Sequence, residues 1–148
     1  MTTPQTQSAT TMRTTMAHRY GPPDVVSIER RPIPTPDPAE VLVRVEAASD
    51  GSADSASRLG EPRFVRLFFG LRRPRQPVLG TDFAGEVVAV GAEVTSFAVG
   101  DRVFGSTGAR AGTHAEFIVV AESHAIATLP PSVSYAQAVA LGDGAMTS

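Results

Sequence analysis

The sequence contains no cysteine. Disulfides and thiolate-held metals are thereby excluded, and a reducing, cytoplasmic setting is the expectation. No apolar run approaches the roughly 18 residues that a membrane-spanning helix needs. Charge is also sparse: charged residues make up 19% of the chain and the formal net charge is -2. A chain so balanced has no overall pull toward nucleic acid. Neither nucleic acid nor a membrane is therefore expected as a partner. The first fifteen residues, MTTPQTQSATTMRTT, have no apolar signal core and read as a disordered tail, with Met12 or Met16 as alternative starts. The ordered domain is expected over residues 16–148.

What is present is the texture of an all-β domain. The 148 residues suffice for one core, 42% of them are apolar, and 12 prolines and 13 glycines punctuate short apolar runs. Val25 to Ile28 is a short strand candidate. RPIPTPDPAE, with four prolines in ten residues, reads as an extended connection. VLVRVEAA alternates, which puts Val41, Val43, Val45 and Ala47 on one face and Arg44 and Glu46 on the other. GEVVAVG sets Glu86, Val88 and Val90 against Val87 and Ala89. A turn at Gly100–Asp101 precedes a strand from Arg102 to Phe104. HAEFIVVAE, with Ala115, Phe117 and Val119 sharing a face, and AIATL are further strands. The last segment changes period. Ser134 and Gln137 have capping-box spacing, the alanines after them favour helix, and Gly142 and Gly144 are expected to stop it. The expected architecture is mainly β: a barrel or curled sheet of five to seven short strands with one C-terminal helix.

The glycines of GTDFAGEVVAVG raise the question of a nucleotide loop. A dinucleotide fingerprint needs strand, tight glycine turn and helix in succession. Gly80, Gly85 and Gly91 are five and six residues apart, and the AEVTSFAVGD that follows is too short and turn-rich for a crossover helix. These glycines are expected to serve bends and close backbone approach in a small barrel.

Longer motifs carry a resemblance. GTDFAGEVVAVGAEVTSFAVGDRVFG, with PRQPVLG before it, GTHAEFIVVAES and LPPSVSYAQAVAL after it, and AHRYGPPDVVSIERRPIPTPDPAEVLVRVEAAS upstream, resembles the catalytic domain of medium-chain dehydrogenases/reductases. The zinc-independent, quinone-oxidoreductase-like branch is the best match, over roughly residues 16–147. The resemblance implies a GroES-like barrel. It implies a complete enzyme in which a separate Rossmann domain binds NADPH and passes hydride to an electron-poor C=C or C=O. That Rossmann domain is absent from these 148 residues, so no cofactor is expected to bind this chain alone, and the chain alone is expected to be inactive.

Site residues follow from the resemblance one position at a time. In the zinc branch a cysteine and a histidine hold the metal; Gly51 and Thr81 stand at those positions, so no metal is expected. His18, His114 and His124 are far apart and read as surface or strand residues. The zinc-free branch carries a polar motif near the reactive end of the nicotinamide. On DGSADSASRLG it places Asp54, Arg58 and Gly60 in register, but Gly51 and Ala56 stand where a polar pair is usual. Asp54, Arg58 and Ser52, with Ser55 beside them, are the catalytic candidates. Thr147 is the cofactor-adjacent candidate, and Asp82 is expected to bond backbone amides of its turn. Residues 61–76, with five arginines and three phenylalanines, are expected to shape a substrate cleft. Two functions follow: the substrate-side domain of an NAD(P)H-dependent oxidoreductase acting on a small molecule, or a free-standing binding and oligomerisation module. Either is expected to need a partner, as a homodimer or through a separate nucleotide-binding domain.

Overall fold

A computed structural model describes residues 11–49, 78–107 and 112–146. Among the described residues seven strands form two sheets. β1 (Thr11–Ala17) pairs antiparallel with β2 (Val26–Pro32) across a loop that holds a 3-10 turn at Pro23–Val25. The larger sheet takes β3 (Glu40–Ala48), β4 (Asp82–Val90), β5 (Arg102–Ser106), β6 (Phe117–Ala121) and β7 (Ile126–Thr128) in the order β6-β3-β4-β5-β7, every pair antiparallel. Single bridges, Thr14 to Ala115 and Met16 to Val78, tie the small sheet to the rest. One helix, α1 (Tyr135–Met146), completes the described residues.

Three sequence expectations are corrected. Thr11 to Thr15 belong to β1 rather than to a tail, because Met12 and Thr14 are buried and Thr14 and Thr15 bond to the body of the fold. The helix runs through Gly142 and Gly144 to Met146; glycine costs helix about 1 kcal/mol but does not forbid it. Ala47 does not share the face of Val41, Val43 and Val45. Val45 pairs with Gly85 and Ala47 with Ala84, so Glu46 is an extra residue in β3, a β-bulge. The bulge passes Ala47 to the other side of the sheet.

The two sides bury different things. Val41, Val43, Phe83, Val87, Val103, Ile118 and Val120 form the main core, with Val45, Phe97 and Ile126 packed on it. On the other side Ala84, Leu129, Ala138 and Val139 seat α1, joined by Ala47, Phe104 and Tyr135. In β6 the core side is Ile118 and Val120, while Phe117 and Val119 are half-buried.

The helix start is built as its local sequence dictates. Ser134 Oγ accepts from the Gln137 N–H at 3.1 Å, and Gln137 Oε1 accepts from the Ser134 N–H at 2.9 Å. Arg102 donates to the carbonyls of Pro130 and Val133 and lies 4.5 Å over the Tyr135 ring, which clamps the start of α1 against β5.

Candidate functional site

The barrel's chemistry collects at one end of the larger sheet, where β3 finishes, β4 begins and β5 finishes. Ser49, one residue past β3, donates its backbone N–H to the Asp82 carbonyl and its hydroxyl to Asp82 Oδ2 at 3.2 Å. The Thr107 N–H and hydroxyl both donate to the Thr81 carbonyl. Asp82 thus bonds a neighbouring strand's hydroxyl rather than the amides of its own turn. The same end receives the segment before β6. His114 donates its backbone N–H to the Leu79 carbonyl and accepts from the Thr15 N–H, so β1, β4's approach and β6's approach meet at that residue.

Gly80 makes this convergence possible. Its φ of +93° suits glycine, and a Cβ there would stand 2.2 Å from Thr113 Oγ1 and 2.5 Å from the His114 ring. Gly85 is required for another reason: a Cβ would stand 2.1 Å from the Arg44 carbonyl oxygen, at the bulge. Gly91 likewise lies against the Asp37 and Pro38 carbonyls. The glycines of GTDFAGEVVAVG are filled by the chain's own backbone and side chains, and β4 runs into turns rather than a helix. This glycine-bearing stretch therefore offers no tight turn and helix N-terminus for the pyrophosphate of a dinucleotide.

A cleft of about 400 Å³ opens beside this end, between β1, the end of β3 and residues 113–116. Its apolar lining is Ile28, Val45, Ala47, Ala48 and Ala115. Its charged groups are already engaged. Arg13 bonds Glu116 through its backbone N–H at 2.7 Å and through its guanidinium, and Glu46 accepts from Arg44 at 2.9 Å. The Arg13 backbone bond, helped by the guanidinium, holds the Glu116 carboxyl below the usual glutamate range. Thr113 is fully buried, and its hydroxyl has no partner among the described residues.

His114 is the residue of this polar end that sequence reasoning did not single out. Its Nε2 lies 2.9 Å from the Ser49 carbonyl oxygen. A carbonyl can only accept, so Nε2 is the donor in this contact. No local signal announces this, because Ser49 is 65 residues away in sequence. His18 is instead held by Glu29 at 2.6 Å on the exposed β1–β2 ribbon, and His124 is exposed. Among the described residues no three histidine, cysteine or acidic side chains cluster to hold a metal. Ser52, Asp54 and Arg58, with Gly51, Ser55 and the 61–76 segment, lie outside the described residues, as does Thr147.

A mainly β shell with a capped C-terminal helix and a polar end of this build defines a GroES-like domain. Residues 37–131 match the alcohol dehydrogenase GroES-like domain, and the chain belongs to that family. It is 32% identical over 133 residues to a quinone oxidoreductase of Lama guanicoe, covering 88% of this chain and 37% of that protein. To a quinone oxidoreductase of Pseudomonas aeruginosa it is 38% identical over 122 residues, 82% of this chain and 34% of that one. Its fold matches the structure of the quinone oxidoreductase from Coxiella burnetii with a TM-score of 0.81 at 27% identity, over 93% of this chain and 43% of that one. It matches Escherichia coli quinone oxidoreductase complexed with NADPH at 0.73 and 28%, over 86% and 36%. The chain thus spans about a third of the length of the curated relatives it matches.

Proposed function

We propose that this chain is the substrate-side domain of a zinc-independent, NAD(P)H-dependent oxidoreductase of the quinone-oxidoreductase type, working in a cytoplasmic setting. The observation that carries the reading is the family match joined to partial coverage: the domain aligns with a little over a third of a quinone oxidoreductase. The shell supplies one wall of a small-molecule cleft, and a nucleotide-binding domain supplies the cofactor. Zinc independence is supported by Gly51 and Thr81 at the two ligand positions, since neither side chain offers a thiolate or an imidazole. Association is supported by the outer side of α1, where Leu141 is 67% exposed. A nucleotide-binding domain or a second copy would cover it, and a dimer is the simplest homo-oligomer.

Calorimetry on the 148-residue chain tests the division of labour. NADPH and NADH are expected to give no heat of binding and no turnover with quinones, and micromolar binding by these residues alone would overturn it. Light scattering tests association: a monomer at high concentration counts against the dimer.

A further inference from the structure

We propose that the outer edge of β2 is a docking strand for a second copy of this chain, paired antiparallel about Ile28. The bonds of the ribbon fix where each peptide group points. The Thr15 N–H donates to the His114 carbonyl, and the Arg13 and Thr15 carbonyls accept from the Glu116 and Leu79 N–H groups. Arg13 and Thr15 thus turn their peptide groups away from β2. Strand residues alternate, so Met12, Thr14 and Met16 turn theirs toward it and bond their partners Arg31, Glu29 and Ser27. On β2 it is then Ile28 and Arg30 that point N–H and C=O outward. No described strand pairs with that edge, and no bulge interrupts the register with β1. Ile28 is 74% exposed, the most of the large apolar side chains described. An open, unbroken edge of this kind invites another strand.

Charge selects the register, and the selected register is self-complementary. A two-fold pairing of β2 with itself sets one residue opposite its own copy. Centred on Glu29 it opposes two carboxylates, and centred on Arg30 two guanidinium groups. Like charges directly opposed are destabilising. Centred on Ser27 or Arg31 it pairs only residues 26–28 or 30–32 of β2. Centred on Ile28 it pairs residues 26–30: Ile28 meets Ile28, Ser27 meets Glu29 and Val26 meets Arg30. No like charges are then opposed, the exposed isoleucines cover each other, and a serine hydroxyl faces a carboxylate. The charges of β2 therefore guard against two registers and leave one open. Two ribbons become one four-stranded sheet, which is better supported than a lone hairpin. Ile28 also lines the cleft beside β1, so its copy extends the apolar rim of that cleft. One short strand buries little area, so the dimer belongs to the weak class that fills only at high concentration. The contact leaves α1 for a nucleotide-binding domain and does not depend on the oxidoreductase reading.

The chain has no cysteine, so a single introduced thiol reports a single position. Opposed residues of a hydrogen-bonded antiparallel pair have Cα atoms about 5.5 Å apart, within reach of a disulfide. Under mild oxidation Ile28→Cys is expected to form a covalent dimer at least about tenfold faster than Val99→Cys, since pairing raises the local thiol concentration. Val99 is the control for chance collision, being 63% exposed. Glu29→Cys and Arg30→Cys are expected to lag behind Ile28→Cys. Sedimentation of the unmodified chain is expected to show a dimer growing with concentration, and Ile28→Lys to stay monomeric with its amide spectrum preserved outside β2. Fastest cross-linking at 29 or 30 overturns the register and the proposal with it. Cross-linking of Leu141→Cys, with Ile28→Cys no faster than Val99→Cys, moves association to α1 and also overturns it. An unmodified chain that stays monomeric at every concentration does the same and leaves the edge to some other partner; this last readout needs no variant to fold.

Discussion

The two sides of the larger sheet are made from the same strands by opposite means. Among the described residues the core side is packed with valine, isoleucine and one phenylalanine, and the described helix lies on the other side. The α1 side mixes small and large residues: Ala84 and Ala47 meet Ala138 and Val139 of the helix, with Leu129, Phe104 and Tyr135 around them. Large branched side chains fill a volume enclosed by strands, while alanines let a helix lie close on the sheet. The bulge at Glu46 divides the two. Without it Ala47 would continue the core face of Val45, and α1 would lose part of its seat. The polar end, with Ser49, Asp82 and His114, begins just past that bulge. The site therefore depends on the sheet changing sides there.

The comparison is broken most severely from the core side. Phe83 is 1% exposed and is the largest fully buried side chain among the described residues. Phe83→Ala is expected to cost about 3–5 kcal/mol, read as a lower urea midpoint at constant slope. A loss below about 1 kcal/mol would mean that the core is not closed around it. Next comes the divider itself. Gly85→Ala drives a Cβ to 2.1 Å from the Arg44 carbonyl, a backbone atom that cannot rotate away. The expected cost is about 2–3 kcal/mol, with the β3–β4 register disturbed around Glu46. Amide exchange of Val45 and Ala47 reads this directly, and unchanged protection there would remove the bulge from the account.

How far the sequence shows this arrangement depends on how local each feature is. The alternation of VLVRVEAA places Val41, Val43 and Val45 correctly because burial follows strand period. It misplaces Ala47 because the bulge exists only in the pairing with β4, another strand. The Ser134–Gln137 box is legible because both bonds lie within three residues. The helix end is not, since tertiary support outweighs two glycines. Gly80 is legible as a bend but not as the space beside Thr113 and His114. The site is the least legible part. His114 looks like any polar residue before a strand until Ser49 and Gly80 are brought to it.

On the α1 side the helix start offers a smaller perturbation that leaves the core untouched. Ser134→Ala removes the acceptor for the Gln137 N–H and is expected to cost about 1 kcal/mol. The loss should appear as faster amide exchange in the first turn of α1, with the core strands unaffected. If the core strands loosen equally, the two sides are one cooperative unit rather than two.

The smallest expected effect joins the ribbon to the sheet. Glu116 bonds the Arg13 backbone N–H first and the Arg13 guanidinium second, with Arg30 adding a favourable field; these outweigh desolvation and lower its pKa from the ordinary 4.5. The folded value lies below the unfolded one, so the carboxylate's contribution is complete above about pH 4.5. It is lost as pH falls through the folded value, where native and unfolded chains both bind the proton. The Glu116 side chain is 42% exposed, so solvent screens the pair and its contribution should not exceed about 1 kcal/mol. Wild type is therefore expected to melt slightly above Glu116→Gln at neutral pH, with the difference closing in acid below the folded value. A difference that grows on acidification would mean that the carboxyl is destabilised in the fold, and that the ribbon is held by its single bridges and not by Arg13.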